Sequence, residues 1–250
     1  MRFRLKAFVL HLSASVTLLT LIFGALFVGW YRWPGWYLTG VLHLVAIVAF
    51  VDLAIGPTLT LIVANPRKPR RALARDIGVI VIVQLAALIY GAATLWLGRP
   101  LYYPFSLDRL QIVQASDLEA REIALARQQN PALAPHWYSL PRWIWAPLPE
   151  NPDEAAKIVG STLFGGQDVV QMPRYFRSWE QGLPKLREQL RPLDEIQALS
   201  RTEKHRLRAR MLQLGLAPEQ RNALLLWGDV RRVLVIFDPG TLRIRAILKP

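Results

Sequence analysis

Three long hydrophobic runs dominate the first hundred positions of the chain. A helix needs about 20 consecutive apolar residues to cross the hydrocarbon core of a bilayer, and each run is long enough. Basic residues precede the first run, as in a secretory signal, but the run is too long for a signal peptide and no clear small-residue cleavage site follows. We therefore predict three uncleaved transmembrane helices, at approximately Ala7–Trp30, Tyr37–Ala64 and Ile77–Leu97.

The remainder of the chain has the shorter, mixed patterns of a water-soluble fold. Residues 101–115 contain alternating stretches that suit a strand. Ser116 and Glu119 then have the spacing of a capping box, which predicts a helix from there to about Gln129. A proline-rich connector that carries three tryptophans follows at 131–152.

Helical signals return after this connector. Asn151 is a good cap and is followed by a proline and two acidic residues, a strong helix start that the pair Gly165-Gly166 can stop. Further helical runs lie near 178–200 and 201–215, interrupted by prolines.

The end of the chain has the pattern of a β-hairpin. Two apolar segments, V-R-R-V-L-V-I-F-D and T-L-R-I-R-A-I-L, flank Pro239-Gly240. About 150 residues are enough for a domain to bury its own core. The predicted fold class is thus a membrane protein with three transmembrane α-helices (residues 1–98) followed by a small α+β soluble domain (residues 99–250) with a C-terminal β-hairpin.

Basic residues at the ends of the runs predict an orientation, because cytoplasmic loops accumulate lysine and arginine. The first run is preceded by three basic residues, the loop between the first two runs has only Arg32, and the next loop has five: Arg67, Lys68, Arg70, Arg71 and Arg75. This places the N-terminus in the cytoplasm and residues 99–250 on the other side, which in a bacterium is the periplasm. Aromatic residues gather at the predicted outer interface: Trp30, Tyr31, Trp33, Trp36, Tyr37, Trp96, Tyr102 and Tyr103.

Composition agrees with this division and narrows the chemistry. The 250 residues carry a net charge of +13, with 9 basic and 2 acidic residues in the first 98 positions and 22 and 16 in the rest. This distribution argues against a cytosolic globular protein and against a many-span transporter. The chain has no cysteine, so disulfides, thiolate metal sites and a cysteine nucleophile are excluded.

Motifs for catalysis, metals and cofactors are missing from the sequence. It has no serine-hydrolase elbow, zinc-protease motif, phosphate loop or dinucleotide fingerprint. The four histidines, at positions 11, 43, 136 and 205, form no ligand-spaced pair. We therefore expect no bound metal and no cofactor, and the sequence identifies no small-molecule substrate.

Asp52 is the strongest single candidate for function, since a carboxyl group near the middle of a span is expensive and usually faces a bundle interior or a partner. It lies about 18 Å from the cytoplasmic end of its span, at the same depth as Tyr90 and Thr17; Gln84 and His11 lie several ångströms shallower. Three interpretations remain open: a hydrogen bond inside the bundle, contact with a polar group on a partner's membrane helix, and proton or ion translocation.

Gly56 and Pro57 follow one turn after Asp52. Glycine permits close approach of a neighbouring helix, and the proline frees a backbone carbonyl near Leu53, which favours a kink. Packing is the favoured interpretation, and partner binding is the alternative.

A basic run between Arg201 and Arg210 suggests nucleic acid by its charge alone. The predicted topology removes it from the cytoplasm, so we expect no nucleic-acid partner. A solvated helix face is the default interpretation, and attraction to an acidic partner surface or to anionic lipid is the alternative. Trp137, Trp143 and Trp145 are interpreted as local packing, or as contacts with the membrane or a hydrophobic partner.

The whole chain resembles the TfpX/TfpZ group of type IV pilin accessory proteins. The matching stretches are R-L-K-A-F-V-L-H-L-S, V-D-L-A-I-G-P-T-L-T-L-I-V-A-N-P-R-K-P-R-R, D-I-G-V-I-V-I-V-Q-L-A-A-L-I-Y-G, F-S-L-D-R-L-Q-I-V-Q-A and the final hairpin. The resemblance implies a bacterial inner-membrane protein that helps a cognate major pilin to be produced, kept or assembled. It implies no catalytic residues.

These observations predict a non-enzymatic, multi-pass inner-membrane factor whose partners are a major type IV pilin and the lipid bilayer. Asp52, Gly56, Pro57, Tyr90 and Thr17 are its candidate partner-binding residues. The alternative is a membrane-tethered enzyme that modifies pilin or the envelope, which requires a cleft with convergent acids in residues 99–250. A ligand-sensing module is disfavoured, because the chain shows no cytoplasmic output domain.

Overall fold

A computed structural model describes the whole chain, Met1–Pro250, and divides it into two compact units. The first comprises Met1–Arg32 and Gly40–Gly98, and the second comprises Trp33–Thr39 and Arg99–Pro250. The helices are α1 (Arg2–Gly29), α2 (Gly35–Leu38), α3 (Leu42–Phe50), α4 (Gly56–Val63), α5 (Arg70–Leu97), α6 (Ala120–Gln129), α7 (Pro152–Leu163), α8 (Trp179–Gln189) and α9 (Arg201–Gln213). The strands are β1 (Pro100–Ser106), β2 (Arg109–Gln111), β3 (Val113–Gln114), β4 (Arg142–Trp145), β5 (Ala223–Trp227), β6 (Arg232–Phe237) and β7 (Ile244–Leu248).

The first unit consists of three long apolar helices that fit transmembrane spans, as predicted. They are α1, the continuous helix Leu42–Val63 that contains α3 and α4, and α5, with mean hydropathies of 2.1, 2.2 and 2.2 over their most apolar windows. Between 17% and 28% of the residues in each window are buried, so most apolar side chains face outward. Such outward apolar faces suit a lipid environment, because a helix makes nearly all of its backbone hydrogen bonds internally.

The start of each span differs from the sequence prediction, and the first span begins at Arg2 rather than Ala7. The third span begins at Arg70 rather than Ile77, because the charged residues before the apolar run are compatible with a helix and Lys68 bonds Asp76 across its first turns (Nζ to Oδ2, 2.8 Å). The second span begins at Leu42 rather than Tyr37, because the residues before it form the separate short helix α2, which belongs to the second unit.

The second unit is built on a seven-stranded mixed sheet. β1 pairs antiparallel with β2 and β3 and parallel with β4, while β2 pairs parallel with β5. β5, β6 and β7 form an antiparallel series, which confirms the predicted hairpin of β6 and β7. The mixed sheet with its helices confirms the predicted α+β class.

Alternating side chains of β5 and β6 pack on opposite faces of this sheet. Leu226 and Val235 belong to the core on one face, with Leu186 and Leu190 at the end of α8. Leu225 and Leu234 belong to the core on the other face, with Leu207 and Met211 of α9. Because successive side chains of a strand point in opposite directions, a sheet covered on both faces requires the near-continuous apolar runs seen in these strands.

Several local predictions for the second unit are wrong in detail. The predicted strand at 101–115 breaks into β1, β2 and β3, with Leu107 at a positive φ of 51° in the turn. Ser116 does not cap α6; instead Asp117 accepts a hydrogen bond from the backbone N–H of Gln114 (2.7 Å), which creates a separate 3₁₀ turn, and α6 starts after Glu119.

The proline-rich connector is also not a simple connector, since it contains β4. The register pairs Tyr102 with Arg142 and Phe105 with Trp145, and prolines flank the strand without interrupting it. The helical run near 178–200 ends at Gln189 and is followed by a 3₁₀ turn, Leu193–Glu195, directly after Pro192.

Two predicted helix starts are confirmed by their caps. Asn151 Oδ1 accepts hydrogen bonds from the backbone N–H groups of Asp153 and Glu154, and Gly165, just beyond the end of α7, takes a φ of +78°. α9 is capped by a reciprocal pair between Ser200 and Glu203.

Candidate functional site

Asp52 lies in an irregular turn of the second span. Pro57 has no N–H to donate to the carbonyl of Leu53, so the α-helical ladder is interrupted one turn before it. The helix takes a π-helical turn at Val51–Ile55, closed by a bond from the Gly56 N–H to the Val51 carbonyl five residues back. Such π-turns are frequent at functional sites. The missing N–H of Pro57 is thus accompanied by a widened turn of the helix, and Asp52 lies in that turn.

Gln84 of the third span is the polar partner of Asp52. Its Nε2 lies 3.1 Å from the Asp52 backbone oxygen and 3.4 Å from Oδ1. Asp52 is 3% exposed and Gln84 is 7% exposed. The Gln84 Oε1 is buried and accepts no hydrogen bond, so the pair leaves one acceptor unmatched.

Gly56 provides the space for this contact. A Cβ at position 56 would lie 1.9 Å from Gln84 Nε2 and 2.2 Å from Oε1. A second close approach between the same two spans occurs at Gly91, where a Cβ would lie 2.5 Å from a methyl group of Val48. Small residues therefore allow the second and third spans to pack closely, which is how helices associate in a membrane.

The first span joins the polar cluster through His11. Its Nδ1 lies 2.6 Å from the hydroxyl oxygen of Thr60, which is 2% exposed. Asp52, Gly56 and Thr60 follow one another at intervals of four residues, so they share one face of the second span. All three spans thus contribute polar groups to one region.

A narrow groove leads from the outward surface of the bundle to this region. Its cavity of about 140 Å³ is lined by His11, Ala14, Ser15, Leu18, Asp52, Val81, Gln84, Leu85 and Leu88. The rim residues Leu18, Val81 and Leu85 are 37%, 36% and 42% exposed. The groove is therefore a polar floor with apolar walls, open on the face that suits lipid or another membrane helix.

Thr17 and Tyr90 do not belong to this groove, although they lie at the depth of Asp52. Tyr90 is 71% exposed, and exposed Thr17 bonds the Ser13 carbonyl (2.9 Å) on its own helix. Tyr90 is six residues from Gln84, and Thr17 is six residues from His11. Six residues turn a helix by about 600°, so each candidate points about 120° away from the groove residue on its helix.

The five basic residues predicted to set the orientation lie before and within the first turns of α5. Arg70, Arg71 and Arg75 are helical, and Lys68 and Arg75 contact Asp76 at 2.8 Å and 3.9 Å. Cations at a helix N-terminus oppose the helix dipole, so stability of the helix does not account for their position.

The second unit has two open concavities bordered by acids. The smaller measures about 410 Å³ and includes Glu203 and Asp229 in its lining; the larger lies beside α7. It measures about 640 Å³ and is lined by Asn151, Asp153, Glu154, Lys157, Ile158, Ser161, Met172 and Arg174. Glu154 accepts a hydrogen bond from the Tyr175 hydroxyl, and burial raises the pKa of Tyr175 to about 12, with this bond to Glu154 acting in the same direction. Nearby, buried Glu122 pairs with Arg174 at 3.4 Å. No group of three or more metal-ligating side chains is present in the chain.

The molecule is thus a membrane protein of three helical spans with a mixed α+β soluble unit. Its relatives include fimbrial assembly proteins of Dichelobacter nodosus: that of serogroup I is 29% identical over 187 residues, which cover 74% of this chain and 70% of the relative. The protein of serogroup E1 is 28% identical over the same shares, and that of serogroups C1 and C2 is 32% identical over 117 residues, 47% of this chain and 89% of the relative. No family model and no solved structure matches the chain. The chain belongs to the family of fimbrial assembly proteins, which agrees with the TfpX/TfpZ resemblance of its sequence.

Proposed function

We propose that this protein is a non-enzymatic inner-membrane factor that supports assembly of a type IV pilus by holding the membrane helix of a major pilin. The observation that carries the proposal is the groove with Asp52 and Gln84 at its floor and apolar side chains at its rim. The names of the relatives, which are fimbrial assembly proteins, support the biological process.

The size and chemistry of the groove favour a side chain over a free ligand. Pockets for drug-sized molecules measure about 300–1,000 Å³, whereas this cavity holds about 140 Å³. A carboxyl group in a membrane is costly unless it is hydrogen-bonded, and the Gln84 acceptor is unmatched. A partner helix that brings a hydrogen-bond donor would satisfy the floor, while its apolar residues would cover Leu18 and Leu85.

The orientation belongs to the same proposal. The basic residues at 67–75 hold their end of the third span in the cytoplasm, and the soluble unit then lies in the periplasm. In that position the soluble unit is on the side where a pilin exposes its globular head. The accessory protein would thus contact both parts of its partner.

Two substitutions of Asp52 test the role of the polar floor. Asp52→Asn keeps a hydrogen-bonding side chain of similar size, whereas Asp52→Leu removes it. We expect pilus number and pilin level to be retained in the first variant and to fall severalfold in the second. Normal pilus output in both variants would show that Asp52 has no role in pilus assembly.

Photo-crosslinking in the cell tests the groove directly. A photoreactive amino acid at Leu85, on the rim, should crosslink to pilin, and the same amino acid at Tyr90 serves as the matched control because it is exposed on a different face of α5. Equal crosslinking at both positions, or crosslinking at Tyr90 alone, would contradict a pilin helix in the groove.

The second candidate is a membrane-tethered enzyme, and the concavity beside Glu154 is the observation that favours it. Glu154→Gln removes the carboxylate and keeps the shape of the side chain. A non-enzymatic factor should retain its pilus output in this variant. A loss of pili with normal protein level, together with an altered mass of pilin, would support the enzyme instead.

A further inference from the structure

The lysine and arginine residues of α9 between positions 204 and 210 form two sets with different surroundings. Arg208 contacts Asp194 and Glu219, and Lys204 donates to the Asp194 carbonyl (2.6 Å). Arg206 and Arg210 are exposed and pair with no carboxylate; Arg210 bonds only Gln213. Like charges four residues apart destabilise a helix, although Arg210 in the last turn is favoured by the helix dipole, so the stability of α9 explains Arg210 in part and does not explain Arg206.

Arg206 and Arg210 border a concavity that a third cation completes. The concavity measures about 510 Å³ and is lined by Trp33, Arg206, Arg210, Ile247, Leu248, Lys249 and Pro250. No acidic side chain is among them, so the lining is positive even if Pro250 carries a terminal carboxylate. The surface therefore suits an anion, and its tryptophan and two aliphatic side chains suit an anion attached to an apolar group.

Lys249 is held in place by three aromatic rings. Its Nζ lies 5.2 Å from the ring centre of Trp33, 4.8 Å from that of Trp36 and 4.9 Å from that of Tyr37. An ammonium group this close to aromatic faces is attracted by the rings. The charge is therefore fixed at the rim of the concavity and is not neutralised there by an acid.

The position of Trp33 along the chain brings the surface close to the bilayer. α1 fits a transmembrane span and ends at Gly29, and the second span starts at Leu42. A residue four positions beyond a span can be at most about 14 Å from its end, and the headgroup region on each side is about 5–8 Å thick, so Trp33 lies in that region or within a few ångströms of it. Tryptophan is also typical of that region.

We propose that this concavity binds the phosphate headgroup of an anionic phospholipid, with Arg206, Arg210 and Lys249 as the charged contacts and Trp33 beside the glycerol region. The site gives a role to Arg206 and Arg210 of the basic run, which take no part in pilin binding at the membrane groove. Lysine and arginine side chains near a membrane surface are attracted to anionic lipid.

Lipid binding by the full chain in neutral-detergent micelles tests the proposal. Fluorescence anisotropy of an acyl-labelled phosphatidylglycerol reports binding, and the equivalent phosphatidylcholine is the neutral comparison. We expect phosphatidylglycerol to bind more tightly and to lose affinity as salt is added. The triple variant R206Q/R210Q/K249Q should lose about tenfold or more in affinity.

A second triple variant controls for net charge. R121Q/R127Q/R221Q removes the same number of charges from exposed positions on α6 and just before β5, and it should bind as the unmodified chain does. If the first triple variant does not fold, R206Q/R210Q leaves the aromatic contacts of Lys249 intact and should still lose affinity.

Three outcomes would overturn the lipid site. The first is equal affinity for the two lipids, and the second is an equal loss of affinity in the two triple variants. The third is unchanged lipid binding by R206Q/R210Q/K249Q together with loss of pilin co-purification, which would assign the surface to an acidic protein. The readout does not depend on pilin, so a failure of the groove at Asp52 would leave this result unaffected.

Discussion

Among the glycines of the membrane bundle, Gly56 has the least space for an added side chain. Gly56→Ala would place a methyl group within 1.9–2.2 Å of the Gln84 amide, so either the amide moves away from Asp52 or the spans separate. Overpacking of this kind costs about 1–3 kcal/mol. We expect lower thermal stability in detergent micelles and reduced pilus output.

Gly24→Ala is the matched control for this substitution. Gly24 lies in the first span, and a Cβ there meets no atom within 4 Å. Its stability should be unchanged. Equal stability of the two alanine variants would show that the bundle adapts at position 56 without cost.

Asp117 makes the stability of the second unit depend on pH. Partial burial raises the pKa of its carboxyl group above the ordinary value of 3.8, although the Gln114 backbone N–H that bonds it acts in the opposite direction. The folded protein therefore holds this proton more tightly than the unfolded chain does. Its contribution to stability is complete below 3.8 and is lost as the pH rises through the raised value.

Asp117→Asn keeps an oxygen acceptor for Gln114 and removes the titration. The difference in unfolding free energy between the variant and the unmodified chain should therefore grow in favour of the variant as the pH rises from strongly acid values toward neutrality. Urea unfolding in micelles at a series of pH values measures this difference. A difference that is constant across the series would contradict the expected coupling.

Part of the membrane site could be predicted from single residues. Asp52 and Gly56 are conspicuous because a carboxyl group and a glycine are unusual in an apolar run, and the four-residue spacing would also have found Thr60. Depth along a helix is not enough to choose partners, however, because it ignores rotation about the axis. For that reason the sequence grouped Asp52 with Thr17 and Tyr90, whereas the structure groups it with Gln84.

At the scale of elements, α9 and α6 show how a capping motif succeeds or fails. Ser200 Oγ accepts a hydrogen bond from the Glu203 N–H (3.2 Å), and Glu203 Oε2 accepts one from the Ser200 N–H (2.7 Å). Ser200→Ala should destabilise the second unit by about 1 kcal/mol. Ser116→Ala, at the motif that the structure does not use as a cap, should change the unfolding free energy little. Denaturant unfolding of both variants measures the difference, and equal losses would contradict the capping role.

Elements were predictable where their cause is local. The three spans follow from runs of about 20 apolar residues, and α7 follows from Asn151 and the residues directly after it. β4 depends instead on parallel pairing with β1, about 40 positions earlier in the chain, and its own residues, R-W-I-W between prolines, look like a loop. Pairing at such a distance leaves no local pattern that a sequence could show.

At the scale of the whole molecule, orientation can be measured with a reporter. Alkaline phosphatase fused after Pro250 should be active, because this enzyme needs the periplasm, and the same fusion after Lys68 should be inactive. Neutral substitutions at Arg67, Lys68, Arg70, Arg71 and Arg75 should lower the fraction of correctly inserted protein. Activity of the fusion after Lys68 without activity at the end of the chain would reverse the proposed topology.

The short segment Trp33–Thr39 has a consequence for biosynthesis. Leu38 is fully buried in the core of the second unit, where its carbonyl accepts a hydrogen bond from the Val230 N–H (3.2 Å). The ribosome therefore delivers one piece of this core before the second and third spans and the rest after them. The core can close only when the last strands have been translated, so the soluble part completes its folding after all three spans have been made. A fragment that starts at Arg99 would lack Leu38 and leave an empty space at that position.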